Sequence, residues 1–424
     1  MKIPDILKKI IVEFCRLFLG AVFIFSGFVK AVDPMGTMYK TMDYLSAFGL
    51  DIFNVSVLPL AFAQSAIEFA MGVCLLLGVY RRFHAVLFLA FMCVMTPLTL
   101  YLAIKNPVTD CGCFGDALVI TNWQTFYKNI FLLAASLVVF FEYKRIIPFF
   151  YRKKFSVTFF VYAFILSVSL YCYLYLPILD FRPYKIGANI PELMVVPEDA
   201  PTDEYETTLI YSKDGVEQAF TLEDYPKGDT AWTFVDTRTH LIKKGYKPPV
   251  HDFSITTEEG DDITEDVLKD ASYTFLLIAH KLEKANDSKI ELINEIYDYC
   301  TQNRYKFYCL TSSGTNEIKE WKENTGAEYP FCIVDDITLK TIVRSNPGLL
   351  LLKKGIIVNK WSNRRIPDEK ALNRLPEDSQ WGQIPPNQEG CTVGLLSFAF
   401  VLCLFVFFLN DRRKKLKKNT NNHS

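Results

Sequence analysis

Residues 83–104, FHAVLFLAFMCVMTPLTLYLAI, form an apolar run long enough to cross a bilayer, whose hydrocarbon core takes roughly 20 helical residues. A short loop follows, Asp110-Cys111-Gly112-Cys113-Phe114-Gly115-Asp116, and then a second run, Trp123–Phe141. Working outward, Ile10–Val29 and Val57–Tyr80 precede this pair, and Phe155–Leu176 and Thr392–Leu409 follow it. Six such runs predict an α-helical membrane bundle. No comparable run occurs between Leu176 and Thr392, so a globular domain is expected between the fifth and sixth spans.

The 424 residues carry 46 Lys+Arg and 47 Asp+Glu, a net charge of −1, and the mean hydropathy is +0.14. Balanced charge argues against a dedicated nucleic-acid binder, and no nucleic-acid partner is expected. The balance conceals a split. Asp180–Glu389 holds 37 acidic and 25 basic residues, and the rest holds 10 and 21. Lys2, Lys8, Lys9, Arg81, Arg82, Lys144, Arg145, Arg152–Lys154 and the tail Arg412–Lys418 all fall on one side of six alternating spans. By the positive-inside rule that side is cytoplasmic, with both termini. Residues 180–390 are then extracytoplasmic, and the expected site is a plasma (inner) membrane. Lys30, Lys40, Lys105 and Lys128 sit near span ends on the opposite side. The first run is too long for a signal peptide and no Ala-x-Ala site follows, so it reads as an uncleaved helix. The basic tail reads as a stop-transfer anchor.

There are eleven cysteines. Cys15, Cys74, Cys93 and Cys403 lie within spans and read as packing residues. The other seven, Cys111, Cys113, Cys172, Cys300, Cys309, Cys332 and Cys391, fall on the expected oxidising side, where disulfides persist. Two thiols one residue apart close only a small, strained ring, which is easily reduced. Gly112 permits the unusual backbone such a ring needs. A pair of this kind at a membrane surface suits a thiol oxidant re-oxidised by a quinone, with Cys111 and Cys113 catalytic and Cys172 and Cys391 as a redox relay. Three alternatives stand beside it: a structural bond to Cys172 or another outer cysteine, free thiols in a turn, and a metal site. The last is poorly supplied with five histidines, and no metal is expected.

Charge inside a span demands a partner or a role. Arg16 in the first span and Glu68 in the second are expected to pair with each other, or else to serve a proton path or head-group site. Thr96, Pro97 and Thr99 open a polar notch in the third span.

Arg16, Ser26-Gly27 and Lys30, with Glu68, Gly72 and Gly78, resemble the helices of DoxX-type membrane proteins. The Cys111-Gly112-Cys113-Phe114-Gly115 loop resembles the methylamine-utilisation protein MauE of that superfamily. The resemblance covers about residues 5–145 and implies a four-helix unit. MauE-type proteins are linked to maturation of a disulfide-rich amine dehydrogenase, and DoxX-type proteins to quinone-coupled and thiol chemistry. A redox or disulfide role is therefore implied, without methylamine as a substrate.

In the globular region, Thr207–Tyr211 and Gln218–Leu222 flank Lys213-Asp214-Gly215 and predict a hairpin, with a further strand at Trp232–Phe234. Strands are expected at Val250–Ile255, Tyr273–Ala279, Tyr305–Leu310, Phe331–Val334, Gly348–Leu352 and Ile356–Trp361. Helices are expected at Ser288–Asn303, Glu317–Thr325 and Thr338–Arg344. This β/α alternation with a terminal hairpin predicts an α/β sheet. Over residues 247–376 the order resembles the thioredoxin and peroxiredoxin fold, with Pro347 at the position of that fold's cis proline. The resemblance departs at the key site: Ala279-His280-Lys281-Leu282-Glu283-Lys284 contains no cysteine. Cys309 and Cys332 then read as core thiols, and Pro347 as part of a peptide-binding edge.

The expected organisation is a four-helix membrane domain (1–145), a fifth span (146–179), a small β segment (180–246), a thioredoxin-like domain without its cysteine motif (247–376), a linker (377–390), a sixth span (391–410) and a basic tail (411–424). The expected function is an envelope thiol–disulfide redox or disulfide-maturation component. Its partners are the bilayer and a client protein bearing thiols or disulfides. The rival reading is a non-enzymatic assembly factor with structural disulfides only. A transporter gains little support, since no internal repeat is visible.

Overall fold

The structure, a computed structural model, describes residues 4–50, 56–108, 110–213, 215–229, 231–243, 245–386 and 388–421. The first part is helical: α1 (Asp5–Val32), α2 (Pro34–Ala47), α3 (Val57–Leu76), α4 (Arg81–Lys105), α5 (Asn122–Glu142) and α6 (Lys154–Leu174). Among the described residues six helices are long and apolar enough to span a membrane: α1, α3, α4, α5, α6 and the C-terminal one. The protein is thus a multi-pass membrane protein, and the six spans occur where the apolar runs predict them. The short helix α2 was not expected. Asp33 starts it by accepting the Gly36 N–H through its side chain, and Pro34 occupies the first turn, where it sacrifices no hydrogen bond.

The bundle core is Val12, Leu19, Phe23, Met71, Leu75, Phe88, Met92, Leu132 and Val139, from α1, α3, α4 and α5. Small residues let α1 and α3 approach closely. A Cβ on Gly27 would sit 2.3 Å from the Phe69 nitrogen, and one on Gly72 would sit 2.7 Å from the Gly20 carbonyl oxygen.

After α6, a short helix α7 (Ile190–Met194) leads to a three-stranded antiparallel sheet, β1 (Glu204–Lys213), β2 (Val216–Thr221) and β3 (Thr233–Lys243), in the order β2-β1-β3. This is the predicted hairpin and its neighbour; the turn residue Asp214 lies outside the described residues. The α/β domain follows: β4 (Thr256–Thr257), α8 (Thr264–Leu268), β5 (Tyr273–Ile278), α9 (Ile290–Asn303), β6 (Lys306–Thr311), α10 (Thr315–Thr325), β7 (Phe331–Ile333), α11 (Asp336–Ile342), β8 (Gly348–Lys353) and β9 (Ile356–Ser362). Its sheet runs β4-β7-β6-β5-β8-β9. Strands β5, β6 and β7 are parallel, and β8 and β9 form the antiparallel terminal hairpin. The continuous apolar runs of β5 and β8 suit strands covered on both faces, here by α9 and α10 on one side and α8 and α11 on the other. This is a thioredoxin-like arrangement, and the Asn346–Pro347 bond is cis. A short helix α12 (Glu369–Leu372) and the long α13 (Gln388–Asn421) complete the chain.

The strand predicted at Val250–Ile255 is not formed. Val250, Phe253 and Ile255 are buried in the core as irregular chain, and pairing with β7 begins only at Thr256. Apolar spacing there records burial rather than a ladder.

Candidate functional site

The loop between α4 and α5 dips into the mouth of the bundle. Asp110 turns the chain by accepting the Gly112 N–H at 2.9 Å. Gly112 and Gly115 both have positive φ, +60° and +50°, which only glycine adopts without strain. Phe114 packs on Phe25 of α1 at 5.4 Å, and the Lys128 ammonium lies 4.3 Å above its ring. These anchors bring the sulfurs of Cys111 and Cys113 within 2.8 Å of each other.

The two thiols are electrostatically unlike. A hydrogen bond from Cys111 to Cys113, opposed by burial and reinforced by Lys128 and Lys30, lowers the Cys113 thiol to about 6. The same hydrogen bond, with burial, pushes Cys111 up. The Tyr44 hydroxyl of α2, beside Cys111, donates to the Asp110 carbonyl oxygen at 3.4 Å, and Lys40 of α2 crosses Gly112 to pair with Asp110 at 2.9 Å. Thus α2 covers the pair on one side.

Beneath the loop, three buried polar side chains meet. Lys30 Nζ lies 2.7 and 2.6 Å from the two Glu68 oxygens and 3.2 Å from Ser26 Oγ. Ser26 Oγ lies 2.7 Å from both Glu68 Oε2 and the Cys113 carbonyl oxygen. Glu68 is therefore not paired with Arg16, as the sequence led one to expect. Arg16 is fourteen residues before Lys30, about 21 Å lower along α1, and instead meets Glu13 at 2.8 Å and the Ile147 carbonyl at 3.5 Å. A small cavity of about 40 Å³ opens at this level, lined by Lys30, Glu68, Cys113, Lys128, Asn129 and apolar neighbours such as Phe91 and Met95.

A larger cleft of about 340 Å³ separates the loop face of the bundle from the α/β domain. Its floor includes Asp110 and Gly112, and its far wall is α11 with residues 177–182. Arg344 bridges the two bodies. It holds Asp33 at 2.7 Å and Asp116, three residues past Cys113, at 3.3 Å. Burial raises the Asp33 carboxyl, but Arg344 outweighs it and holds the group below its usual range.

Of the residues expected to act together, Cys111, Cys113 and Glu68 converge. Cys172 is buried among Val32, Val168 and Ile178, and Cys391 is exposed on α13. Pro347 is not among the residues lining the cleft; its neighbour Asn346 hydrogen-bonds to Lys281 and Asn286. The site residues that sequence reasoning missed are Tyr44, Lys40 and Lys128, and the roles of Ser26 and Lys30.

Residues 8–142, which span nearly all of α1–α5, match the family described as methylamine utilisation protein MauE. Residues 205–244, the three-stranded sheet, match a domain of unknown function, DUF8463. Two solved structures are similar to part of the chain. One is a solution structure from Bacteroides thetaiotaomicron described as a candidate protein disulfide isomerase. It has 16% identity and a TM-score of 0.22, over 26% of this chain and 73% of that one. The other is the crystal structure of StoA from Bacillus subtilis, with the same identity and TM-score, over 26% of this chain and 84% of that one. No curated protein matches the chain.

Proposed function

We propose that the protein is a thiol–disulfide redox, or disulfide-maturation, component of the cell envelope. The observation that carries this reading is the Cys111–Cys113 pair, with its sulfurs 2.8 Å apart and one thiol lowered to about 6. A thiol of low pKa is a good leaving group. In the oxidised protein a client thiolate attacks Cys111, and Cys113 leaves as thiolate beside Lys128. A second client thiol then resolves the mixed disulfide. The client gains a disulfide and the protein retains two thiols. Cys111 is buried under Tyr44 and Lys40, so α2 must swing aside for this attack.

Re-oxidation removes two electrons and two protons from the pair. The acceptor we propose is a quinone, and when bound it would take up both. The 40 Å³ cavity holds a few waters rather than a whole ring, since each water needs roughly 10–15 Å³. Only the polar edge of a quinone fits, with Lys128 and Asn129 able to donate to its oxygen. Cys172 and Cys391 are less suited to a relay, since one is enclosed by apolar side chains and the other faces outward from α13.

The α/β domain lacks cysteine at its own site and serves, in this proposal, to hold the client, with the Pro347 edge taking an extended peptide. Charge asymmetry supports an inner-membrane location, with cytoplasmic termini and residues 180–390 outside. Kinship with DoxX-type proteins belongs to the same proposal, resting on Ser26-Gly27, Lys30 and Glu68. In the second reading, an assembly factor, the pair never cycles. Alkylation and mass spectrometry across a thiol redox series decide between them. A Cys111–Cys113 bond that forms and breaks reversibly is expected, and Cys113→Ser should abolish it, leaving Cys111 a lone thiol that forms a mixed disulfide only by attacking a client that already carries a disulfide. A pair that stays in one state throughout overturns the redox reading.

A further inference from the structure

The buried cluster of Ser26, Lys30 and Glu68 is more than an ion pair sunk in a membrane. It touches the candidate site at one atom, the carbonyl oxygen of Cys113. Counting protons defines what it does there. The Lys30 ammonium has three donors and faces three acceptors, Glu68 Oε1, Glu68 Oε2 and Ser26 Oγ, so it is fully used. The Ser26 hydroxyl has one proton and two acceptors at the same 2.7 Å, Glu68 Oε2 and the Cys113 carbonyl. It can serve only one at a time. Ser26, Lys30 and Glu68 are all less than a tenth exposed, so replacing a missing partner falls to the few waters that the 40 Å³ cavity can hold.

We propose that Ser26, Lys30 and Glu68 are positioning residues for the Cys-Gly-Cys loop, and that the Ser26 proton is a two-position latch on Cys113. When Ser26 donates to the Cys113 carbonyl, the loop is held down in the bundle mouth. When it donates to Glu68, the loop is released at that point. This inference rests on the redox reading for its purpose, but its geometry concerns only how firmly Cys113 is held.

The test uses the reduced full-length protein and measures alkylation of Cys113 across pH. The plateau rate above the thiol's titration reports access rather than ionisation. Ser26→Ala removes the latch and should raise that plateau about fivefold, the scale of one lost hydrogen bond. Ser26→Thr keeps the hydroxyl and should restore the native rate. Glu68→Gln weakens the competing acceptor: a neutral amide draws the Ser26 proton less than a carboxylate does, while its NH2 gives Lys30 one acceptor fewer, and the plateau should fall or stay level. Total thiol count in denaturant and the mobility of the detergent-solubilised protein report folding. A Ser26→Ala plateau equal to the native one in folded protein, or a Glu68→Gln change in the same direction as Ser26→Ala, overturns the inference. Alkylation needs no redox partner, so a pair that never cycles would sink the redox reading while leaving this result readable.

Discussion

At the scale of single residues, the asymmetry between two neighbouring thiols is the main chemical finding. Cys113 carries the charge because Cys111 donates to it and two lysines lie near. Alkylation of Cys113 should therefore be half-maximal near pH 6, well below the usual thiol range of about 8.5. Cys111→Ala removes the largest cause and should move that midpoint upward by at least one pH unit. Because the folded value lies below the reference 9.0, the reduced loop gains stability as pH rises from about 6 to 9. It loses that contribution as pH falls back through 6. A Cys113 midpoint near 9 in the native reduced protein would remove the electrostatic basis for its role as leaving group.

At the scale of elements, the loop depends on α2. A Cβ on Gly112 would meet Lys40 Cγ at 2.7 Å, and the positive φ adds backbone strain. Gly112→Ala should cost about 1 kcal/mol or more locally. Hydrogen exchange over residues 110–117 should then quicken while that of β5 and β8 stays unchanged. The sequence made the loop and the spans plain, since apolar runs and Cys-Gly-Cys spacing are local patterns. Helix α2 was not legible because Pro34–Ala47 mixes Met, Tyr, Thr and Lys without a strong apolar stripe. In the sequence Lys30 reads as a charge at a span end. Its true partner depends on how α1 and α3 are rotated and stacked, and that follows from the close approach at Gly27 and Gly72 rather than from spacing along the chain. Ser26 and Lys30 are four residues apart, on one face of α1, and that spacing is the sequence signal by which the pair could have been found. The missing strand at Val250–Ile255 has the opposite lesson: Val250, Phe253 and Ile255 are as buried as a strand's residues, but their backbone bonds go to Leu193, Ile263 and Thr264, and a ladder begins at Thr256.

At the scale of the whole molecule, one arginine holds the α/β domain over the thiols. Arg344 is one-tenth exposed and satisfies both Asp33 and Asp116. Arg344→Ala removes the main counter-charge of the half-buried Asp33 carboxylate, which keeps the Gly36 N–H, at a cost of about 2 kcal/mol to the docked arrangement. Limited proteolysis should then cut more readily within residues 177–187, with the spans intact; unchanged cleavage would mean the docking does not depend on this bridge. The domain is also fastened at both ends by helices that lie together. Phe400 of α13 packs on Phe164 and Phe160 of α6 at 4.5 and 5.5 Å, and Asp411 accepts the N–H groups of Tyr151, Arg152 and Lys153 at the far end. Two strings tied at nearly one point allow a swing but little drift. A polypeptide caught by the domain would thus meet the thiols as an intramolecular neighbour, at an effective concentration of the order of millimolar. Even a weakly held client would react as though present in large excess, and only cutting both tethers would make the reaction depend on dilution.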